Sequence, residues 1–134
     1  MTLPSGFRLL PLVVLLLATS ACGSSQDGRA HDVAVRFNSA VADRDGAVAC
    51  GLLAPETLDE VEQSAQRPCP QGLFDEGLRG VRDPAEVRVF GTMAQVRYRS
   101  EAVFLTRFRD GWKVMAAGCT PAAAERYSCR IQGG

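Results

Sequence analysis

The chain has 134 residues, and its 15 lysine and arginine residues balance its 15 aspartate and glutamate residues. This length suits one domain and leaves no room for a second, catalytic one. With 46% apolar and 22% charged residues, the composition is typical of a globular protein and excludes a disordered tail or a fibre. A net charge of zero argues against a general nucleic-acid-binding protein, which would carry a basic surplus.

The N-terminus has the pattern of an export signal. Met1–Arg8 carries one charged side chain, Leu9–Ala18 is apolar, and Thr19–Ala21 places small side chains directly before Cys22. This order matches the three regions of a secretory signal peptide. A membrane-spanning helix needs about 20 apolar residues, whereas this block has half that length and is interrupted by Pro11. The sequence therefore predicts a signal rather than a membrane span.

The stretch LATSAC, which ends at Cys22, resembles the lipobox of bacterial lipoproteins. The family prefers leucine three residues before the cysteine, where this chain has Thr19. The resemblance implies a signal peptide over residues 1–21, a diacylglyceryl group on Cys22 and a firm membrane anchor on the extracytoplasmic face, because two acyl chains suffice for stable anchoring. The alternatives are a plain secretory signal with an incidental cysteine and an uncleaved N-terminal anchor. Residues 22–29 are predicted to form a flexible polar tether, and residues 30–134 a single domain.

Removing Cys22 from the count of five leaves an even number of cysteines. These are Cys50, Cys69, Cys119 and Cys129. An export signal places them in an oxidising compartment, where thiols pair. Three pairings are possible, and the presence of two cysteines in each half of the chain favours Cys50–Cys69 with Cys119–Cys129. A zinc site would need close pairs such as C-x2-C, which these spacings do not provide. We therefore expect two disulfides, no metal and no cofactor.

Helical periodicity dominates the chain from Asp27 to about residue 80. An apolar stripe at i, i+4 and i+8 predicts an opening helix, with Asp27 as its N-cap. The stripe consists of Val33, Phe37 and Val41. Asp45 is the predicted cap of a second short helix, and Pro55 suits the first turn of a third. Leu73–Leu78 suggests one more short helix.

The apolar period drops to two from Ala85 onward, which predicts strands. The predicted strands are Glu86–Phe90, Thr92–Arg99, Val103–Arg109, Trp112–Ala117 and Tyr127–Ile131. Asp110–Gly111 is the expected two-residue hairpin turn between the third and fourth. Helices that precede an antiparallel sheet indicate an α+β fold.

This order of elements, with the stretch FLTRFRDGWKVMAAGC ending at Cys119, resembles the nuclear transport factor 2-like fold. That fold is a curved antiparallel sheet that wraps a long N-terminal helix into an open cone, and its topology is related to that of cystatins. In detail the chain is similar to small cysteine-paired lipoproteins of actinobacteria. The resemblance implies a cone that can hold a small apolar ligand. Enzymes of the fold use a carboxylate base with a tyrosine or a second acid.

Residues that could carry such chemistry are few. Tyr98 faces the apolar side of its predicted strand and is the best candidate donor, although a core aromatic is the simpler interpretation. Glu86 and Glu101 fall at strand ends, and no carboxylate occupies an inward position of the predicted strands. His31, the single histidine, lies close to the predicted tether and is expected on the surface. We therefore expect a protein that is not an enzyme.

The charges are divided unevenly along the chain. Residues 27–86 carry 12 acidic and 6 basic residues, whereas residues 87–134 carry 3 acidic and 8 basic ones. Arg97 and Arg99 are spaced to share one strand face, which makes them a candidate patch for an anionic partner, either phospholipid headgroups or an acidic protein. The competing interpretation is a solvated face that balances the acidic helices.

Three functions follow from these patterns. The favoured one is a lipid-anchored extracytoplasmic domain that works by non-catalytic binding, with an envelope protein as a candidate partner and no nucleic acid. The alternatives are a small-ligand carrier or isomerase-like enzyme that uses the cone, and an unanchored secreted interaction protein. A cone interior filled by Phe37, Leu105 and Trp112 would count against the carrier or enzyme.

Overall fold

The computed structural model describes residues 22–134, so the predicted signal peptide and the first part of the lipobox lie outside the described residues. Four α-helices and a 3₁₀ helix precede six strands. The helices are α1 Cys22–Ala42, α2 Gly46–Gly51, α3 Pro55–Ala65, α4 Cys69–Gly72 and the 3₁₀ helix Leu73–Glu76. The strands are β1 Glu86–Phe90, β2 Met93–Arg97, β3 Ala102–Phe108, β4 Gly111–Pro121, β5 Tyr127–Ser128 and β6 Ile131–Gln132. The predicted α+β order is confirmed. None of the helices within 22–134 is both long and apolar enough to cross a membrane.

Helix α1 lies along one face of the sheet. Its buried stripe, which includes Ala30, Ala34, Phe37 and Val41, has the i, i+4, i+7 spacing of an amphipathic helix. The helix already begins at Cys22, so residues 22–29 are helical rather than a flexible tether.

A tertiary contact explains the early start of α1. The indole Nε1 of Trp112 donates a hydrogen bond to Gln26 Oε1 at 3.0 Å and attaches the first turns to the sheet. Asp27 therefore lies inside the helix and is not its N-cap. Tertiary contacts commonly outweigh the weak helix propensity of glycine and serine.

The short helices begin where the sequence predicts. Asp45 Oδ1 accepts a hydrogen bond from the Val48 backbone amide at 3.1 Å, which caps α2. Pro55 occupies the first turn of α3, where its missing amide hydrogen costs nothing. The buried Thr57 hydroxyl donates to the Met115 carbonyl at 2.8 Å and attaches α3 to the sheet.

Strands β1 to β4 form an antiparallel meander, and β5 and β6 both pair with the second half of β4. The single strand predicted over Tyr127–Ile131 is thus two short strands. Phe108 pairs with Gly111, so the turn residues of the β3–β4 hairpin are Arg109 and Asp110, one position earlier than predicted. Gly111 follows them with a φ of 122°, a conformation that glycine adopts at little cost.

Strand β4 contains two irregularities in its pairing with β3. Leu105 pairs with Val114 and Phe104 with Ala116, so Met115 is an extra residue; a second shift follows before Cys119. Gly118, at this second shift, has a φ of 62°. Bulges bend a strand and increase its twist, which gives the sheet curvature around α1 and is compatible with a cone.

Both predicted disulfides, Cys50–Cys69 and Cys119–Cys129, are present. The first joins α2 to α4, and the second joins β4 to the segment after β5. The main apolar core lies between α1, the short helices and the inner face of the sheet, and its buried members all fall between Ala30 and Ile131. A smaller cluster around Ala102 and Cys119 lies on the opposite, outer face of the sheet.

Candidate functional site

The inner face of the sheet is filled by side chains. Phe37 and Leu105 are fully buried, Trp112 is 4% exposed, and all three belong to the main core. The position where the fold resemblance implies a ligand cavity is therefore occupied by packed apolar groups.

Tyr98 lies at the end of the inner face opposite Trp112 and is buried beside Asn38. Neither the Tyr98 hydroxyl nor Asn38 Nδ2 has a hydrogen-bond partner among the described residues. Burial raises the pKa of Tyr98, and the nearby carboxylates of Asp83 and Glu101 raise it further. The Asn38 side chain lowers this pKa but does not outweigh the effect of burial. The hydroxyl therefore stays protonated at neutral pH and can only act as a neutral donor or acceptor.

A small hollow beside Tyr98 holds about 170 Å³ and is lined in part by Ser39, Val81 and Asp83. Ligand-binding pockets usually measure about 300–1,000 Å³, so this hollow suits water better than an organic ligand. Burial also raises the pKa of Glu101, against the effect of Arg79. Asp83 Oδ2 is engaged because it accepts a hydrogen bond from the Arg99 backbone amide at 2.7 Å.

His31 lies on α1 with its Nδ1 atom 3.6 Å from Asp32 Oδ1 and with 38% of its side chain exposed. The expected surface position is therefore correct. Across residues 22–134 no group of three or more His, Cys, Asp or Glu side chains is arranged to hold a metal ion.

Arg97 and Arg99 are both exposed, as predicted, but they differ in their surroundings. Arg97 Nη2 donates to Glu86 Oε2 at 2.5 Å, and this hydrogen bond lowers the pKa of Glu86. Arg99 lies beyond the end of β2, in the turn before β3. One of the two charges is thus neutralised locally, as the competing interpretation of a balanced outer face requires. An anionic partner for the pair stays a prediction.

The outer face of the sheet carries an apolar groove that the sequence pattern does not predict. We call it the outer groove; its volume is about 400 Å³. It is lined by Met93, Phe104, Met115, Ala116, Arg126, Tyr127, Cys129, Gln132 and Gly133. The Thr106 hydroxyl lies 3.2 Å from Met93 Sδ and 3.3 Å from Met115 Sδ. The two thioethers are therefore held on one floor across β2, β3 and β4.

Tyr127 on β5 forms one wall of the outer groove. Its ring meets Phe104 edge to face, with the ring centroids 5.1 Å apart, and its hydroxyl accepts a hydrogen bond from Gln95 Nε2 at 2.9 Å. The Cys119–Cys129 disulfide closes the loop that carries this wall. Arg126 adds an exposed guanidinium beside it.

The outer groove could be anticipated only in part. Phe104 occupies an outward position of its predicted strand, which was the available signal of an apolar outer surface. Met115 reaches the groove at the first β4 bulge, and a bulge shifts the alternation on which a sequence reading depends.

No protein-family model, curated protein or solved structure matches this chain.

Proposed function

We propose that the protein is a lipid-anchored, non-catalytic binding domain on the extracytoplasmic face of a cell membrane, and that it binds a protein partner in the outer groove. The observation that carries this proposal is the contrast between the two sheet faces. The inner face is filled by Phe37, Leu105 and Trp112, whereas the outer face has an apolar groove of about 400 Å³.

The location is supported by the N-terminal pattern and by the disulfides. Cys22 follows an apolar block and small residues in the order of a lipobox. Two disulfides, one of them between the buried Cys50 and Cys69, are typical of proteins that fold in an oxidising compartment.

The groove has the composition of a protein-binding surface. Methionine, phenylalanine, tyrosine and arginine are enriched at protein interfaces, and flexible methionine side chains adapt to apolar groups of different shape. Met93 and Met115 form the floor, while Arg126 lies beside Tyr127. We infer that the occupant is an apolar segment of an envelope protein with an acidic side chain positioned for Arg126.

The groove suits recognition better than proton transfer. The groove offers an occupant the Arg126 guanidinium, which has hydrogen-bond donors and no acceptor. It also offers the Tyr127 phenol, whose oxygen already accepts a hydrogen bond from Gln95 Nε2. Cys129 is bonded to Cys119 and does not titrate.

Photo-crosslinking in native membranes tests the groove. A benzophenone amino acid replaces Phe104 in the groove or, as the control, the exposed Val48 on α2. We expect a defined protein adduct from position 104 only. Its yield should fall about tenfold when Arg126→Glu or Met115→Glu is added, because Arg126→Glu would repel the acidic side chain of the partner and Met115→Glu would place a charge in the apolar groove. Equal adducts from both positions, or an adduct with a small molecule alone, would contradict a protein-binding groove.

The anchor has a separate test. In the native host the parent protein should carry a mass increase from acylation and remain with the membrane, while Cys22→Ala should lose both properties. A parent protein that is membrane-retained without any added mass would rule out lipidation.

A further inference from the structure

One end of the sheet brings two hairpin turns together. The β1–β2 turn follows Phe90 and the β3–β4 turn follows Phe108, and in an antiparallel meander alternate turns lie at the same end. The Arg107 backbone amide, near the end of β3, donates to the Thr92 carbonyl in the β1–β2 turn at 2.8 Å. We call this region, residues 88–93 and 106–113, the hairpin end.

The hairpin end exposes large apolar side chains. Phe90 is 63% exposed, Met93 is 38% exposed and Phe108 is 36% exposed, and these are three of the five large apolar residues that are exposed in the described part of the chain. Phe108 pairs across the hairpin with Gly111, which has no side chain to cover it. A concentration of exposed apolar side chains marks an interaction surface.

The same end carries excess positive charge. Its ionisable residues are Arg88, Arg107, Arg109, Asp110 and Lys113. Lys113 Nζ lies 3.6 Å from Asp110 Oδ2, so the single acid is already opposed by one base. Arg88 Nη2 lies 3.7 Å from Glu86 Oε1. The remaining bases, Arg107 and Arg109, favour an anionic surface.

The N-terminus of α1 also lies at the hairpin end. Trp112 is adjacent to the turn, and its Nε1 donates to Gln26 Oε1 at 3.0 Å. Gln26 is four residues after Cys22, a distance of about 6 Å along a helix. Cys22, the first residue of α1, therefore lies near the hairpin end.

We propose that the hairpin end lies on an anionic bilayer surface, with Phe90 and Phe108 at the boundary of the acyl region and Arg107 and Arg109 at the phosphate groups. The orientation rests on the proposed function, because an anchor at Cys22 holds this end next to the membrane. Apolar side chains and nearby basic residues together give an interfacial contact that is stronger than either alone. Because these side chains are basic, we expect the hairpin end to bind phospholipid phosphates more strongly than an uncharged surface.

The test uses residues 22–134 with Cys22→Ser, so that no acyl anchor contributes to binding. This segment contains every described core residue and both disulfides. Cosedimentation with phosphatidylglycerol vesicles should exceed that with phosphatidylcholine vesicles and should weaken as salt is raised. Phe90→Ser with Phe108→Ser should bind phosphatidylglycerol about tenfold more weakly, since both rings lose their apolar contact.

Two variants serve as controls. Val48→Ser removes a comparably exposed apolar side chain (41% exposed) from α2 and should leave binding unchanged. Arg97→Gln with Arg99→Gln removes the candidate patch at the other end of the sheet and should also have no effect. Each variant is first shown to unfold in urea with the parent's midpoint.

Three results would overturn the proposal. The first is that the protein does not bind phosphatidylglycerol vesicles at low salt. The second is that Val48→Ser weakens binding as much as Phe90→Ser with Phe108→Ser does. The third is that binding is weakened by Arg97→Gln with Arg99→Gln and not by the phenylalanine substitutions. Because the protein in this test carries no lipid, its outcome is independent of whether Cys22 is acylated and of what the outer groove binds.

Discussion

The two disulfides should stabilise the domain by similar amounts, but only Cys119–Cys129 should keep the groove wall at Tyr127 closed. Cross-linking residues 19 positions apart, as in Cys50–Cys69, removes chain entropy worth about 3.2 kcal/mol from the unfolded state. The separation of 10 in Cys119–Cys129 corresponds to about 2.7 kcal/mol. Replacing either pair by alanine should therefore lower the free energy of unfolding by about 3 kcal/mol, measured by urea denaturation.

Removal of the two disulfides should have different effects on the local stability of the segment that carries Tyr127. The wall formed by Tyr127 pairs with β4 only through Thr120–Ser128 and Pro121–Tyr127. In the connection just after β4, the Ala122 amide donates to the Arg126 carbonyl at 2.8 Å. Without the Cys119–Cys129 disulfide this short hairpin should open locally, because two-stranded segments are marginally stable in water. Loss of Cys50–Cys69 should leave it closed.

Amide hydrogen exchange of residues 120–128, followed by mass spectrometry, distinguishes these outcomes. We expect these amides to exchange faster in the variant Cys119→Ala with Cys129→Ala. In the variant Cys50→Ala with Cys69→Ala, we expect them to exchange no faster than its lower global free energy of unfolding accounts for. Unchanged protection after removal of Cys119–Cys129 would refute the reasoning, because the bond would then not be what keeps the groove wall in place.

Two further predictions concern single side chains. Asp45→Ala should lower the free energy of unfolding by about 1 kcal/mol through loss of the α2 cap, while Asp45→Asn should retain most of the stability; equal losses in urea denaturation would argue against capping. Glu101→Gln should raise the free energy of unfolding at neutral pH. Burial raises the pKa of Glu101 above its ordinary 4.5, so the folded state loses stability as the pH rises from that value through the raised one. Glu86→Gln is the matched control with the opposite sign, because Arg97 lowers the pKa of Glu86; a urea series from acidic to neutral pH in which both variants shift in the same direction would contradict the assignment.

Local signals in the sequence account for most of the architecture. Apolar alternation located β1 within Glu86–Phe90, the side-chain chemistry of Asp45 and Pro55 marked two helix starts, and the division of the cysteines indicated their pairing. Each of these features depends on residues that are close in the chain, so the pattern and its structural consequence are visible together.

Features that depend on distant residues were not predictable in this way. The first turns of α1 look like a polar linker, yet Gln26 meets Trp112, which is 86 positions away. Likewise, the outer groove needs the β4 bulge that delivers Met115 and the return of β5 that delivers Tyr127. The bulge shifts the two-residue alternation within β4, and β5 and β6 are too short to show an alternation of their own.

The helical start at Cys22 limits how far the domain could extend from an anchor at that residue. A helix of 21 residues is about 32 Å long, whereas a flexible linker would add slack that varies from molecule to molecule. An acyl group on the first residue of α1 would leave almost no slack between bilayer and protein. Any partner of the outer groove would then have to present its binding segment within a few nanometres of the lipid headgroups, which narrows the search to proteins that are themselves embedded in, or held against, the same membrane.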